Sequence, residues 1–168
     1  MVYIKRRHPA IVSHVCDFLR GKGITTLHTY KYGSYTEANY VRDLQRARFM
    51  VVLDAHESQG YALEEAMSCN IPLFVMDATS MYDEVNERGS SVYAYLRPKK
   101  LTATSVPYWS DKCGVRFTDL SQRPAAFEDF TKKLDAGEFA PREYVLETLS
   151  PAVCMRRILD YFHLEPVA

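Results

Sequence analysis

Residues 49–53, Phe49-Met50-Val51-Val52-Leu53, form an unbroken apolar run. Side chains along a strand point alternately to its two faces, so a run without polar interruption must be buried on both. Helices have to cover both sides of such a strand, which demands a layered α/β fold with a parallel sheet. The neighbouring segments meet that demand. Val2-Tyr3-Ile4 reads as a short strand, and Pro9 opens a helix where a missing N–H costs nothing, with Ile11, Val12, Val15, Phe18 and Leu19 on one face. Gly21 and Gly23 stop that helix. Residues 24–29 read as a second strand, Tyr32-Gly33-Ser34-Tyr35 as a turn, and Thr36 as the cap of a helix running to about Ala47. Beyond the apolar run, 61–69 read as a helix stopped by Asn70, and 71–76 as a fourth strand with Pro72 near its start. Strands alternating with helices in this way predict a doubly wound, Rossmann-like parallel sheet.

The second half is less regular. Residues 88–104 read as an excursion with a strand at 91–96, Val115-Arg116-Phe117 as a short strand, and 124–134 as a helix. Two closing helices, 141–149 and 151–162, are each begun by a proline. No glycine- or proline-rich linker divides the 168 residues, a length suited to one domain, so a single unit over 1–168 is expected. Lysine plus arginine equals aspartate plus glutamate, 21 of each, which leaves no overall field to gather nucleic acid or an anionic membrane. Cys16, Cys69, Cys113 and Cys154 are scattered without zinc spacing or a disulfide pattern, and they read as thiols in a reducing compartment. No stretch approaches the roughly 18 apolar residues of a membrane span or the pattern of a signal peptide, so a cytoplasmic protein without stable membrane insertion is expected.

Chemistry concentrates between residues 54 and 77. The apolar strand ends in Asp54-Ala55-His56, a loop Glu57-Ser58-Gln59-Gly60 follows, and a helix begins at Tyr61 with Glu65 eight positions after Glu57. That order puts the open N–H groups of a helix start at the carboxyl end of a central strand, where α/β sheets bind ligands and a diphosphate is a natural guest. Gly60 permits a close backbone approach or a positive φ. Ser58 adds a hydroxyl donor, Glu65 can accept from two vicinal hydroxyls, and Glu57 can meet a sugar.

The stretch Glu57-Ser58-Gln59-Gly60-Tyr61-Ala62-Leu63-Glu64-Glu65-Ala66-Met67, followed by Ile71-Pro72, resembles the Glu-x7-Glu region of GT-B retaining glycosyltransferases. The likeness covers roughly residues 2–77 and implies the C-terminal, donor-binding half of such an enzyme. By that resemblance Glu57 is the catalytic residue facing the transferred sugar, and Glu65 holds the donor ribose. Ser58, Gln59, Gly60 and Tyr61 form the donor loop, Tyr32 stacks on the ligand, and Lys5 and Arg6 neutralise the diphosphate. It implies no metal and no cofactor beyond the donor, a nucleoside diphosphate sugar such as a UDP- or GDP-sugar. Ser58 and Gln59 depart from the glycine and aromatic more usual in the family. The acceptor would be held by a second domain, a partner chain or a second copy.

Blander readings stand beside these. Lys5-Arg6-Arg7 also reads as a solvated charge cluster, and Glu57 and Glu65 taken singly as surface carboxylates. His56 reads as a capped or exposed histidine, Tyr32 and Tyr35 as the tyrosines nearest a ligand, and Tyr108-Trp109 as a ligand-side pair or a packed loop. Asp54 and Asp77 receive no reaction role. Two functions follow: a glycosyltransferase donor domain, or a non-catalytic nucleotide- or sugar-binding or interaction module. A receiver or an epimerase fragment is a third, and the basic Lys5-Arg6-Arg7 argues against the receiver.

Overall fold

The computed structural model describes residues 1–86 and 88–163, the side chains of 96–98 excepted. Five parallel strands, β1 (Val2–Lys5), β2 (Thr29–Lys31), β3 (Met50–Asp54), β4 (Leu73–Met76) and β5 (Gly114–Phe117), form one sheet in the order β2-β1-β3-β4-β5. This is the flavodoxin-like variant of the doubly wound sheet, whose strand order reverses between β1 and β3. The helices are α1 (Pro9–Gly21), α2 (Glu37–Leu44), α3 (Tyr61–Ser68), α4 (Arg123–Ala136), α5 (Pro141–Thr148) and α6 (Pro151–Phe162). The fold class is thus the expected one: an α/β, Rossmann-like parallel sheet with helices on both faces.

The strand pleat sorts the core into two halves. Tyr3, Met50, Val52, Leu73 and Val75 face one way and pack against Tyr40 and Leu44 of α2 and Leu63, Ala66 and Met67 of α3. Val2, Val51, Leu53, Phe74 and Met76 face the other and pack against Val15, Cys16 and Leu19 of α1 and Phe127 and Phe130 of α4. Every residue of β3 is buried, as its unbroken apolar run requires. Phe74 sits among the rings of Phe117, Phe127 and Phe130 at 5.0–5.4 Å between centroids, and truncating such a ring costs about 3–5 kcal/mol. β5 can approach β4 only through glycine: a Cβ at Gly114, where φ is 147°, would lie 1.9 Å from the Leu73 carbonyl oxygen.

Some boundaries move. The second strand occupies Thr29–Lys31 rather than 24–29, because Ile24 and Leu27 pack onto the α1-side core while pairing to β1 begins only with Val2 N–H to His28 O (2.9 Å). α2 ends at Leu44 instead of Ala47, and its cap residue Thr36 makes no side-chain capping bond. The strand at 71–76 begins at Leu73. No strand forms at 91–96. The segment pairs with none of the five strands and keeps only a single bridge, Val85 to Ser91, and a 3-10 turn at Ala94–Lys99. No helix among the described residues is long and apolar enough to cross a membrane.

Candidate functional site

The strand-order reversal opens a crevice at the carboxyl ends of β1 and β3. Lys5 and Asp54 are register partners there. A cavity of about 460 Å³ lies on the α2 and α3 side of this edge. It gathers Lys5, Tyr32, Glu57, Ser58, Gln59, Gly60, Tyr61 and Glu65, all singled out in the sequence, together with Tyr3, Tyr35, Glu37, Tyr40 and Ala62. Arg6 is absent from it: β1 ends at Lys5, and the left-handed backbone of Arg6 (φ 50°) leads its side chain to Glu84 instead.

Local chemistry sets each part. Gly60 is the N-cap of α3 with φ 84° and ψ 43°, a left-handed conformation that lets the chain fold back from Glu57 into the helix. The Tyr61 and Ala62 N–H groups find no hydrogen-bond acceptor among the described residues, as expected for a helix start that faces a cavity. Gln59 is clamped, its amide donating to Glu64 at 2.7 Å and its carbonyl oxygen accepting from the Tyr108 hydroxyl at 3.5 Å. That contact is the ligand-side contribution of Tyr108; Trp109 instead packs against the core. The Glu57 N–H donates to Thr104 O at 3.0 Å, tying the loop to the 78–113 excursion.

The cavity is acidic. Its carboxylates are Glu37, Glu57 and Glu65, and its one cation, Lys5, is bound to Glu57 at 2.6 Å with both side chains largely buried. Glu65 has no hydrogen-bond or ion-pair partner among the described residues, and burial, with the charge of Glu37, raises its pKa. Beneath them lies Asp54, fully buried, with Oδ1 accepting from the Ala55 N–H at 2.6 Å and Oδ2 without a partner. Burial first, and then the neighbouring Glu57 carboxylate, push its pKa far above the usual carboxylate range, outweighing Lys5. One wall is formed by Tyr3, Tyr35 and Tyr40, backed by Tyr30, with ring centroids in this cluster 5.2–6.5 Å apart.

The Lys5-Arg6-Arg7 run is no solvated cluster. Lys5 pairs with Glu57 and lies 4.8 Å from the Tyr32 ring centroid, and Arg6 pairs with the buried Glu84 at 2.6 Å. Arg7 is buried, donating to the carbonyls of Asp54 and Asp77 at 3.2 Å each. His56 is half-buried, with Nδ1 2.9 Å from the Glu84 carboxylate and its ring beside that of Tyr93. Asp77 acts as a staple: it accepts from Thr104 Oγ1 (2.9 Å) and from the Ser105 N–H (2.7 Å) and Oγ (2.9 Å). Asp54, Glu37 and Glu84 were not singled out from the sequence as site residues, since their placement depends on strand register and on a loop packing across the sheet edge. Among the described residues no group of acidic, histidine or cysteine side chains could hold a metal ion. No family model, curated protein or solved structure matches the chain.

Proposed function

We propose that this cavity binds the sugar of a nucleotide sugar, and that the chain is the donor-binding domain of a glycosyltransferase moving that sugar from a nucleoside diphosphate to an acceptor. The observation that carries the reading is the meeting of Glu57, Gly60 and Glu65 in one tyrosine-walled cavity at the strand-order reversal. Carboxylates accept hydrogen bonds from vicinal hydroxyls, and aromatic rings cover the apolar face of a sugar, so the lining suits a neutral, hydroxyl-rich group. Glu65, without a protein partner, is the natural acceptor for a hydroxyl pair. Glu57, fixed by Lys5 at 2.6 Å, would face the positive charge that develops on the reacting sugar carbon.

One observation favours a second reading. The same Lys5–Glu57 pair occupies the carboxylate that would act, which suits a module that recognises a sugar or nucleotide without turning it over.

The test is calorimetric titration with uridine, guanosine, adenosine, UDP-glucose and GDP-mannose, repeated on Glu65→Ala after circular dichroism confirms its fold. Saturable binding of one base series is expected, weakened by about 1–3 kcal/mol in the variant, the size of hydrogen bonds to a charged acceptor. Absence of binding across the series, or an unchanged affinity in folded Glu65→Ala, would sink the sugar site. Release of nucleotide when acceptors are supplied supports the transferase, and binding without any release supports the module.

A further inference from the structure

A second cavity, of about 840 Å³, lies on the other face of the same sheet edge, between α1, the ends of β1 and β2 and the segment 84–93. Its charge is the reverse of the first. Arg6, Arg7, Arg20 and Lys31 line it against one carboxylate, Glu84, over a floor that includes Val12 and Cys16.

Two of these cations have capacity to spare. The Lys31 ammonium, at the exposed end of β2, has no carboxylate partner among the described residues. Arg6 gives one N–H to Glu84, yet its side chain is 54% exposed, and a guanidinium has five donors. Its backbone is also unusual. With φ at 50° it holds a left-handed conformation that costs a residue with a side chain roughly 1–2 kcal/mol, and the Val85 N–H braces it by donating to its carbonyl at 2.9 Å. Strain of this kind persists where surrounding structure enforces it and clusters at ligand clamps. The start of α1 is not what makes the site, since the His8 ring already accepts from the Ala10 N–H and Gly89 packs against that ring.

Among the described residues Tyr32 is the one that lines both cavities, and it stands between an acidic chamber and a basic one. A ligand with hydroxyls at one end and phosphates at the other would match that polarity. Placed in the first cavity, its phosphates would meet three carboxylates and a lysine already neutralised by Glu57. We propose that the basic cavity is a phosphate subsite, with Lys31 and Arg6 as its principal contacts. It takes the phosphates of a nucleotide whose sugar lies across Tyr32 in the acidic cavity. The sugar's place rests on the function proposed above, whereas the phosphate subsite stands on its own cations.

The experiment separates the two by using fragments. Inorganic pyrophosphate, the nucleosides uridine and adenosine, and the nucleotides UDP and ADP are titrated into the full chain, into Lys31→Glu and into Glu65→Ala. Lys31→Glu reverses a charge at an exposed position that holds no carboxylate, so it leaves the fold's own ion pairs in place. Pyrophosphate is expected to bind the parent, with Lys31→Glu weakening it and the preferred nucleotide about tenfold or more while nucleoside affinity is retained. Glu65→Ala is expected to do the opposite, weakening the nucleoside and sparing pyrophosphate. No pyrophosphate binding, or binding indifferent to Lys31→Glu, overturns the subsite. Pyrophosphate binding that responds to Lys31→Glu while no nucleoside binds keeps the subsite and removes the sugar cavity instead.

Discussion

The two cavities at the carboxyl edge share a wall and a stretch of chain but are opposite in charge. The α2–α3 side holds Glu37, Glu57 and Glu65 with one engaged lysine, and the α1 side holds Arg6, Arg7, Arg20 and Lys31 with one engaged glutamate. The pleat of β1 produces much of this difference. Tyr3 and Lys5 go to one face and Ile4 to the other, and the left-handed turn at Arg6, just past the strand, leads the next basic residue into the second chamber. A neutral chain can therefore present two strong local fields without an overall one, which composition alone would not suggest.

Arg7 is where the comparison breaks most readily. Its guanidinium donates to the carbonyls of Asp54 and Asp77, joining the ends of β3 and β4, and its own backbone lies just past the end of β1. Removing it leaves two buried carbonyls unpaired, each of which costs about 1–3 kcal/mol. Arg7→Ala is therefore expected to lower stability by about 3 kcal/mol, read as a fall in urea midpoint at unchanged slope. Arg7→Lys is expected to rescue little, because an ammonium cannot reproduce the planar fork that spans two carbonyls. A loss below about 1 kcal/mol for Arg7→Ala would mean that the strand ends hold together without it.

Much of this architecture was legible beforehand, for identifiable reasons. The apolar run of β3 specifies a doubly covered strand, and proline and glycine mark where α1, α5 and α6 begin and where α3 is entered. Eight of the nine candidate site residues meet in one cavity because they lie on two short segments and one strand end that a parallel sheet brings together. Arg6 separates from Lys5 because β1 ends at Lys5 and Arg6 turns into a left-handed conformation, which an arginine does not announce in the sequence. Glu84 and Asp54 were illegible for another reason: each becomes important through a partner distant in sequence, Arg6 and His56 for one and Lys5 of the neighbouring strand for the other. The strand expected at 91–96 did not form because β propensity alone does not make a strand: the segment pairs with none of the five strands and keeps only the Val85–Ser91 bridge.

Asp54 sharpens the contrast from below. A carboxyl that keeps its proton in the folded chain and loses it in the unfolded one makes stability fall as pH rises. Its contribution is fully present below the unfolded pKa near 4 and is lost progressively as pH climbs toward the raised folded value. One such proton gives a slope of at most about 1.4 kcal/mol per pH unit. Asp54→Asn keeps the acceptor for the Ala55 N–H and cannot ionise, so its urea stability measured between about pH 5 and 8 is expected to be flatter by that one-proton slope. Equal slopes in the two proteins would show that the proton is not held on Asp54, and the acidic chamber would then carry one more negative charge.

The smallest effect belongs to Gly60 and confines itself to one chamber. A methyl group there meets only ordinary contacts, the nearest being the Glu57 side chain at 3.8 Å, so the penalty comes from the backbone rather than from crowding. At φ 84° an alanine is strained by roughly 1 kcal/mol, and the chain can relieve it by rotating the turn that joins Glu57 to α3. Gly60→Ala is thus expected to cost about 1 kcal/mol of stability and to weaken nucleoside binding a few-fold by displacing Glu57 and the open N–H groups of Tyr61 and Ala62. Pyrophosphate affinity should not change, because Arg6 and Lys31 reach their cavity from the opposite face of the sheet. If both ligands weaken together, the two chambers are mechanically coupled through Tyr32 and cannot be treated as independent subsites; if neither does, the turn at Gly60 shapes the helix start without positioning the ligand.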